Sequence, residues 1–455
     1  MLIRFFVKNL FSFKELTEFN MLPGRGTRMP HHLYEVAGIN ILKLNAMYGA
    51  NGAGKSNLIK ALDILKEFVG TGKMPIELLT QTFKFDKESR GKDIYLGVEF
   101  IHSGTPYYYG ITINGGIVVE EELQISGLQK KEDKKLFLRT DYEISGKIPI
   151  EFDEAILKDP TAELLRDFLG TEIVSRNSLV LTTFKNRNSL VFKPIVNALN
   201  WFIYYLNIIS PNTKPRAQAI RFERNTEFAN FAHEAIRAFN TGIKEVIVET
   251  IPVEEYYGKD NADEAAKASS DLLANPGRIQ FFPGIDEEVV MVLEEGKAVA
   301  KRLLFTHVED GGIATFNSNE ESDGTRRLLD YLPPLFSAIH EAKVYIIDEI
   351  ERSIHPLLIK EMISKFSADE QTQGQMIFST HESTLLDQDI FRQDEIWFAE
   401  KKSDGATELY PLSEFKEHAT IDIRKGYLNG RYGAIPFLAN LKDLNWEHYA
   451  EAESI

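Results

Sequence analysis

The stretch that decides the fold is Gly49-Ala50-Asn51-Gly52-Ala53-Gly54-Lys55-Ser56, which fits the pattern G-x-x-x-x-G-K-[ST] at every fixed position. An apolar run, Ile39 to Tyr48, precedes it, and Asn57-Leu58-Ile59-Lys60-Ala61-Leu62 follows with helical spacing. This order of strand, glycine loop and helix is the one that a phosphate-binding loop requires. Glycines let backbone N–H groups turn around a phosphate, and a helix N-terminus adds partial positive charge. The alternative is a glycine-rich turn with a chance Lys-Ser pair, which the agreement of both flanks disfavours.

The loop predicts a site for ATP and Mg²⁺. Lys55 is expected to reach the β- and γ-phosphates, and Ser56 is expected to place its hydroxyl on Mg²⁺. The residues predicted to bind the nucleotide are Gly49, Asn51, Gly52, Gly54, Lys55, Ser56 and Asn57.

A second part of the site is predicted where Val344-Tyr345-Ile346-Ile347 ends in Asp348 and Glu349. Such an apolar run is typical of a central strand buried on both faces, whose end lies beside the phosphate loop in a doubly wound sheet. Asp348 is expected to hold Mg²⁺ through water, and Glu349 to polarise the attacking water. The alternative for an acidic pair after a strand is a helix N-cap.

Two more stretches narrow the kind of ATPase. Met376-Ile377-Phe378-Ser379-Thr380 is another apolar strand, and His381 follows it at the position of a switch histidine that contacts the γ-phosphate. Upstream, a helix is predicted to begin near Ser322 as its cap, with Gly324 permitting close backbone approach. Its N-terminus would form a second phosphate cradle, made by Ser322 and Gly324, for nucleotide held by another subunit.

The order of these motifs resembles the ABC-type ATPases of the SMC/RecF class. More narrowly, it is similar to bacterial RloA-like and abortive-infection ATPases, including the AriA-type ATPases of PARIS anti-phage systems. The phrases that carry the resemblance are Asn9-Leu10-Phe11-Ser12-Phe13-Lys14-Glu15, Glu349-Ile350-Glu351-Arg352-Ser353-Ile354-His355-Pro356 and Tyr427-Leu428-Asn429-Gly430-Arg431-Tyr432-Gly433-Ala434-Ile435-Pro436. The resemblance covers residues 1–125 and 300–440.

The resemblance implies an ATPase head of two lobes, nucleotide held between the Walker A loop of one subunit and the signature of another, and a role in anti-phage defence. The chain departs from transporter ATPases by having Ser-Asp-Gly-Thr (Ser322 to Thr325) where they carry Ser-Gly-Gly-Gln. The glutamine that links metal to water is not fixed by the pattern. Gln81 is the candidate, and a surface position for it is the alternative.

Composition bounds the class of protein. The 455 residues suggest two or three domains, and 43% hydrophobic content is enough for a large core. No apolar run reaches the roughly 18 residues that cross a bilayer, the N-terminus does not read as a signal peptide, and there are no cysteines. These features predict a soluble cytoplasmic protein without a membrane partner. The net charge of −16 argues against a protein that coats nucleic acid through its overall field.

The predicted fold class is α/β: an ABC-type P-loop ATPase head with a mixed central sheet, an antiparallel β lobe and a helical insertion. Predicted domains are residues 1–149 (Walker A and β lobe), 150–275 (mainly helical insertion) and 276–455 (signature, acidic pair and switch histidine). Alternating runs at 94–101, 107–113 and 117–125 predict an antiparallel meander. Strands are also predicted at 1–7, 279–282, 289–293 and 300–308, and helices at 57–69, 162–168, 194–205 and 227–239.

Two segments allow alternatives. Asn200 to Tyr205 has the aromatics of a nucleic-acid stacking platform, but a buried helix is favoured because no Lys or Arg is interleaved. Asp260 to Ala274 is polar and alanine-rich, so it is interpreted as a mobile surface segment or a solvated helix.

Three functions compete. The first is an ATP-driven switch in immunity that acts as a homo-oligomer, a dimer or larger, on a separate effector, a nuclease or toxin encoded nearby, with a phage factor as trigger. The second is a DNA-repair ATPase of the RecF kind, for which Lys130, Lys131, Lys134, Lys135, Lys185 and Arg187 could line a groove, although such charge runs usually form solvated faces. The third, an OLD-type nuclease, is disfavoured because only 74 residues follow His381.

Overall fold

The computed structural model of the chain describes residues 1–128, 130–141, 146–187, 189–283, 288–309, 311–418 and 420–435. The chain forms two compact units. The first comprises Met1–Ile208 and Met376–Ile455, and the second comprises Ile209–Gln375. Both combine sheets with helices, which confirms the predicted α/β class. The predicted boundaries after residues 149 and 275 do not coincide with these units, because the division between Ile208 and Ile209 falls inside the predicted helical insertion.

The strands follow the chain in this order: β1 (Leu2–Lys8), β2 (Thr17–Asn20), β3 (Leu33–Val36), β4 (Ile39–Leu42), β5 (Leu44–Tyr48), β6 (Ile94–His102), β7 (Thr105–Asn114), β8 (Ile117–Ile125), β9 (Lys134–Thr140), β10 (Ile150–Phe152), β11 (Leu206–Ile209), β12 (Ile243–Pro252), β13 (Gln280–Pro283), β14 (Glu288–Glu294), β15 (Lys297–Glu309), β16 (Gly312–Asn317), β17 (Val344–Ile347), β18 (Gln375–Ser379), β19 (Ile396–Lys401) and β20 (Thr407–Pro411).

The α-helices are α1 (Lys55–Thr71), α2 (Glu77–Thr80), α3 (Glu154–Leu157), α4 (Pro160–Phe168), α5 (Lys193–Asn200), α6 (Gln218–Arg224), α7 (Thr226–Ala238), α8 (Val253–Tyr257), α9 (Ala262–Ala274), α10 (Asp323–His340), α11 (Pro356–Ala368) and α12 (Ile423–Leu428). No helix among the residues described is long and apolar enough to cross a membrane.

The first unit contains the predicted meander. Strands β6, β7 and β8 pair antiparallel within a seven-stranded sheet of order β10-β9-β8-β7-β6-β1-β2. The β6–β7 turn uses Ser103 and Gly104, both in the left-handed region with φ of 49° and 75°. A short polar residue and a glycine adopt this geometry at low cost, so the local sequence was sufficient to predict the hairpin.

Strands β5, β18, β19 and β20 of the first unit belong to a second sheet, which carries the phosphate loop. In it β5 lies between β18 and β19 and is parallel to both, while β20 pairs antiparallel with β19. All five residues of β5 are buried, as expected of a central parallel strand.

The apolar run from Ile39 to Tyr48 forms two strands, β4 and β5, and β5 is the predicted strand that precedes the loop. β4 pairs with β3 in a separate hairpin, and the chain then enters the central sheet at Lys43. The Lys43 N–H donates to His32 O (2.9 Å), while its carbonyl accepts from Met376 N (2.9 Å). The backbone of this one residue therefore pairs with two different segments, a change of partner that apolar periodicity does not reveal.

Helix α1 begins at Lys55 and buries Leu58, Ala61, Leu62, Leu65 and Phe68, the predicted apolar face. It ends at Gly72, which has a left-handed φ of 72° and donates its N–H to Phe68 O. The helix predicted at 57–69 is thus confirmed and is slightly longer, since Gly70 lies inside it and Gly72 caps it.

The predicted helices near 162–168, 194–205 and 227–239 are present as α4, α5 and α7. Beyond α5, Trp201–Tyr205 forms a π-helical turn. Trp201 is fully buried and stacks on Phe100 with ring centroids 4.1 Å apart, and Phe202 is also buried. These two rings are core residues, which confirms the buried interpretation over a stacking platform, whereas Tyr204 is 58% exposed.

The second unit is built on a sheet of order β12-β15-β14-β13, with β16 paired to β15. The strands predicted at 279–282, 289–293 and 300–308 are therefore confirmed as β13, β14 and β15. Residues 262–274 form α9, which is not wholly solvated. Its buried residues Ala265, Ala268 and Leu272 pack against Val289, Met291 and Ala300.

Removing the Trp201 ring should destabilise the first unit. We expect Trp201→Ala to lower its free energy of unfolding by about 3–5 kcal/mol, because a large buried aromatic and its stacking partner are lost. Tyr204→Ala, at an exposed neighbour, should change it by less than about 0.5 kcal/mol. Denaturant unfolding of both variants checks this, and equal midpoints for the two would show that Trp201 is not part of the core.

Candidate nucleotide-binding site

The phosphate loop fits between two other strands so closely that two of its glycines admit no side chain. A Cβ at Gly49 would lie 2.4 Å from Ala399 O, the carbonyl of a β19 residue. A Cβ at Gly54 would lie 2.2 Å from Thr407 Oγ1 on β20, and Gly54 also has a left-handed φ of 116°. Both requirements come from packing within this unit. They fix the path of the backbone whose N–H groups would surround a phosphate.

Thr407 and Ser12 hold the loop from outside. The Thr407 hydroxyl lies 2.7 Å from Ala53 O and 2.8 Å from the Ser12 hydroxyl, and Asn57 Nδ2 lies 2.8 Å from the same Ser12 oxygen. Ala53 O can only accept, so the Thr407 hydroxyl proton goes there and Ser12 donates to Thr407. Asn57 in turn donates to Ser12. One chain of hydrogen bonds thus joins the loop, the first turn of α1 and β20.

Lys55 is buried, with 4% of its surface exposed, and its ammonium lies inside the loop. Lys55 Nζ donates to Gly49 O at 2.7 Å and to Ala50 O at 3.2 Å. A buried ammonium needs such acceptors because desolvation of an unpaired charge is costly. Phosphate oxygens are stronger acceptors for this cation than peptide carbonyls are.

His381 lies next to Lys55, with Nδ1 3.4 Å from Lys55 Nζ. The parallel pairing of β18 with β5 causes this, since Ser379 stands opposite Met47 and Thr380 N donates to Met47 O. The two strands therefore deliver their following residues to the same edge of the sheet. His381 is exposed, so its ring is accessible to a ligand.

The other residues predicted to bind the nucleotide differ in their solvent exposure. Asn51 and Gly52 are exposed at the tip, whereas Ser56 and Asn57 are half-buried in the first turn of α1. The exposed tip and the half-buried Ser56 hydroxyl suit contact with a polyphosphate and its metal ion.

The second unit contains the predicted signature. Ser322 is the N-cap of α10, as predicted, and its hydroxyl accepts from Thr325 N at 3.1 Å. A Cβ at Gly324 would lie 2.6 Å from Ser353 O. Gly324 thus does permit close backbone approach, and its neighbour is the loop that follows the acidic pair.

The acidic pair ends β17, whose four residues are all buried. Asp348 is 7% exposed, and its N–H donates to Ile209 O at 2.9 Å. Glu349 is half-buried and has a left-handed φ of 52°, uncommon for a residue with a side chain. Strain of this kind persists where the surroundings impose it, and it often marks functional sites.

Gln81 follows the short helix α2. Its carbonyl accepts from Phe11 N at 2.7 Å, and its amide lies 3.4 Å from Thr80 Oγ1. These described contacts join Gln81 to the segment Asn9 to Phe13, and they do not include Lys55 or His381. Its metal-linking role stays a prediction.

Within one unit the structure brings together the phosphate loop, Lys55 and His381. It places Ser322, Gly324, Asp348 and Glu349 in the other unit. Motif analysis did not identify Ser12 and Thr407 as supports of the loop. Ser12 had a signal, because it lies in the segment Asn9 to Glu15 that carries the family resemblance. Nothing near Thr407 in the sequence indicated its contact with Ala53, since the two are far apart along the chain.

The arrangement is suited to binding a triphosphate. It offers a rigid glycine loop, a buried cation at its centre and the N-terminus of a 17-residue helix. The Ser56 hydroxyl, in the same unit as the loop, is an oxygen donor of the kind that Mg²⁺ takes beside nucleotide phosphates. Among the residues described, no group of three or more His, Asp or Glu side chains is arranged to hold a metal ion.

A protein-family model described as "AAA domain, putative AbiEii toxin, Type IV TA system" matches residues 44–387, which is more than half of the chain. No curated protein matches.

Solved structures with similar chains include an SMC head bound to the C-terminal winged-helix domain of ScpA (TM-score 0.42, 11% identity, 91% of this chain and 99% of that chain). Another is the SMC head domain from Thermotoga maritima (TM-score 0.40, 11% identity, 90% and 98%). A third is the Smc head with an extended coiled coil bound to the C-terminal domain of ScpA from Pyrococcus furiosus (TM-score 0.37, 12% identity, 91% and 99%).

Loss of the Thr407 hydroxyl should loosen the loop. We expect Thr407→Val to weaken ATP binding by about tenfold, because Ala53 O and the Ser12 hydroxyl lose their partner at a cost of about 1–3 kcal/mol. Thr407→Ser keeps the hydroxyl and should bind within about twofold of the wild type. Titration calorimetry measures the ATP affinity of both variants. Equal affinities for Thr407→Val and Thr407→Ser would show that the hydrogen-bond chain does not support ATP binding.

Proposed function

Because the chain belongs to the AAA-domain family whose model it matches, we propose that it is an ATP-binding and ATP-hydrolysing molecular switch. Its setting would be bacterial anti-phage, abortive-infection defence, where it controls or scaffolds a separate effector protein. The observation that carries the ATPase part is the buried Lys55 ammonium, held within a glycine loop and 3.4 Å from His381. Nucleotide hydrolysis with ATP and Mg²⁺ is the general chemistry of this family.

The side chains divide the work as follows. Lys55 neutralises charge on the β- and γ-phosphates, and His381 contacts the γ-phosphate from the neighbouring strand end. Glu349 takes a proton from the attacking water, which adds to phosphorus as the bond to the β-phosphate oxygen breaks. Mg²⁺, held by the Ser56 hydroxyl and by Asp348 through water, would neutralise charge on the phosphates.

We propose that each ATP site is completed by a second subunit. The chain has one Walker A loop and one signature. The capped start of α10 offers free N–H groups and the positive end of a helix dipole. In this proposal Ser322 and Gly324 of one subunit face the nucleotide held by Gly49 to Asn57 of another. Hydrolysis is slow because it waits for this assembly, which is a dimer or larger.

An effector partner is favoured over direct action on DNA. The protein carries a net charge of −16, and four of the six basic residues that could line a groove make contacts within the chain. Lys134 and Lys135 pair with Asp153 and Glu151, and Lys130 and Lys185 donate to Gly38 O and Gly70 O. These contacts fit solvated or structural lysines. The toxin named in the family description fits a defence locus, of which a PARIS system with an AriA-type ATPase is the specific form proposed.

Binding and hydrolysis should separate in two variants. Lys55→Ala should lose nucleotide binding, since the cation acts on the phosphates in the ground state and the transition state. Glu349→Gln should bind ATP and fail to cleave it, since the carboxylate acts only on water. Equilibrium ATP binding and phosphate release are measured for each. Wild-type turnover by Glu349→Gln would show that another group is the base.

Mixed assemblies test the shared site. Neither Lys55→Ala nor Ser322→Arg subunits should hydrolyse ATP alone, whereas a mixture should regain activity because a mixed dimer contains one intact site. ATP turnover is recorded against the mixing ratio. A mixture of Lys55→Ala with Glu349→Gln subunits is the inactive control, because neither site of that mixed dimer is intact. Full-rate hydrolysis by a dilute wild-type monomer would refute the shared site.

Defence should require the neighbouring gene product. Cells expressing the chain together with the protein encoded beside it should survive phage challenge as a population, and cells expressing either alone should not. The Lys55→Ala chain should abolish protection at equal expression. Co-purification identifies the effector. Protection by the lone chain, with nuclease activity in the purified protein, would contradict the partner role.

A further inference from the structure

The second unit contains a cavity of about 310 Å³ beside the start of α10. Its walls are formed by the loop from Pro211 to Pro215, the first two turns of α10, the Arg352–Ser353 segment and an apolar side made by Leu303, Phe305 and Leu329. The cavity therefore lies where the signature helix and the loop after the acidic pair come together. All of its lining residues belong to the second unit, whereas the phosphate loop belongs to the first.

Four cations line this cavity: Lys214, Arg326, Arg327 and Arg352. Arg326 is paired with Asp323. Arg352 Nη1 donates to Asn212 Oδ1 at 3.1 Å, a neutral acceptor. For Arg327 and Arg352, no carboxylate lies within ion-pair distance among the residues that the structure describes, although Asp330 is near enough to interact with Arg327 electrostatically.

Among the four, Arg327 is buried and incompletely hydrogen-bonded. It is 6% exposed, and its Nε has no hydrogen-bond partner within the described ranges. Its terminal nitrogens donate to two carbonyls at long distances, Thr213 O at 3.3 Å and Ser210 O at 3.5 Å, and its Cζ lies 4.8 Å from the centre of the Tyr331 ring. Typical N–H···O distances are about 2.9–3.0 Å. A buried guanidinium with such long bonds has unused donor capacity.

The acidic groups around the cavity do not use that capacity. Glu288 accepts backbone N–H groups of Ala217 and Gln218. Asp330 accepts from Gln218 Nε2 at 3.4 Å, and burial raises the pKa of this carboxyl to about 6, although Arg327 acts in the opposite direction. The region therefore combines underused guanidinium groups with the N-terminus of an 18-residue helix, which together favour an anion.

We propose that this cavity binds a small phosphate-bearing anion, separately from the ATP on the phosphate loop. Arg327 and Arg352 are its main ligands, and Lys214 contributes at the cavity wall. Guanidinium groups match phosphate oxygens in geometry and charge. The source is inorganic phosphate or pyrophosphate, or the phosphates of a free nucleotide whose base rests on Leu303 and Phe305.

A bound anion would join the signature helix to the segment after the acidic pair. Arg327 belongs to α10, whereas Arg352 comes three residues after Glu349, and Ser353 O packs against Gly324. The ligand would thus stabilise one arrangement of signature and catalytic acid, and its concentration would regulate turnover. This regulatory consequence rests on the proposed ATPase function, but the binding itself does not.

The test measures anion binding without the phosphate loop. Full-length Lys55→Ala protein is titrated by calorimetry with inorganic phosphate, pyrophosphate and ADP in separate arms, which distinguish the sources. We expect at least one to bind. Two second substitutions in the Lys55→Ala protein should each weaken that binding tenfold or more. They are Arg352→Gln, at an exposed residue, and Arg327→Lys, which keeps the charge and loses the planar guanidinium group. Arg237→Gln, an exposed arginine of the same unit away from the cavity, should leave it unchanged, and thermal melting confirms that each variant is folded.

The proposal is overturned if none of the three anions binds the Lys55→Ala protein, or if binding is the same with Arg352→Gln and Arg327→Lys as with Arg237→Gln. Binding to a short DNA duplex alone would also overturn it. So would anion binding that appears only in ATP-driven assemblies of the wild type, since the cavity would then be part of the shared ATP site. Loss of turnover in Lys55→Ala is scored separately, so the ATPase proposal can stand if the anion site fails.

Discussion

The buried ammonium of Lys55 is the constraint on which the candidate site depends. A charge with 4% exposure must be surrounded by acceptors, and the loop supplies them by turning the carbonyls of Gly49 and Ala50 toward it. That turn requires the backbone to pass so close to Ala399 and Thr407 that residues 49 and 54 have to be glycine. The hydrogen bonds of Thr407 and Ser12 then fix the loop at its outer side. Cation, glycines and outer supports thus define one rigid cradle.

The parts of this arrangement that are local in sequence were predictable. The glycine loop, the start of α1, its end at Gly72 and the β6–β8 meander follow from short patterns whose physics acts within a few residues. The cap of α10 by Ser322 and the close approach at Gly324 were predicted for the same reason, although the neighbour of Gly324, Ser353 O, was not. The change of partner at Lys43 could not be predicted, because apolar periodicity is the same in β4 and β5, which belong to different sheets. The contact of Thr407 with Ala53 and the division of the chain at Ile208 likewise depend on residues far apart in sequence.

The residues that we propose to act on ligands show local departures from ordinary structure. Glu349, the proposed base, has a left-handed backbone conformation, which residues other than glycine rarely adopt. Arg327 is buried with long hydrogen bonds, and Lys55 places its charge on peptide carbonyls. Each arrangement costs free energy that a better-packed alternative would avoid, and each becomes favourable when phosphate or water is the partner. In a chain with a net charge of −16, Lys55 and Arg327 are the buried cations at which we propose that anions bind.

The contacts of Lys55 in the nucleotide-bound protein decide whether the glycine loop is the ATP site. The direct measurement is a high-resolution structure of Glu349→Gln protein with ATP and Mg²⁺, since this variant is expected to bind without hydrolysis. We expect Lys55 Nζ to leave Gly49 O and Ala50 O for oxygens of the β- and γ-phosphates, with His381 beside the γ-phosphate and the loop backbone otherwise unchanged. A structure in which nucleotide is bound while Lys55 Nζ remains on Gly49 O, with the phosphates outside the glycine loop, would contradict it.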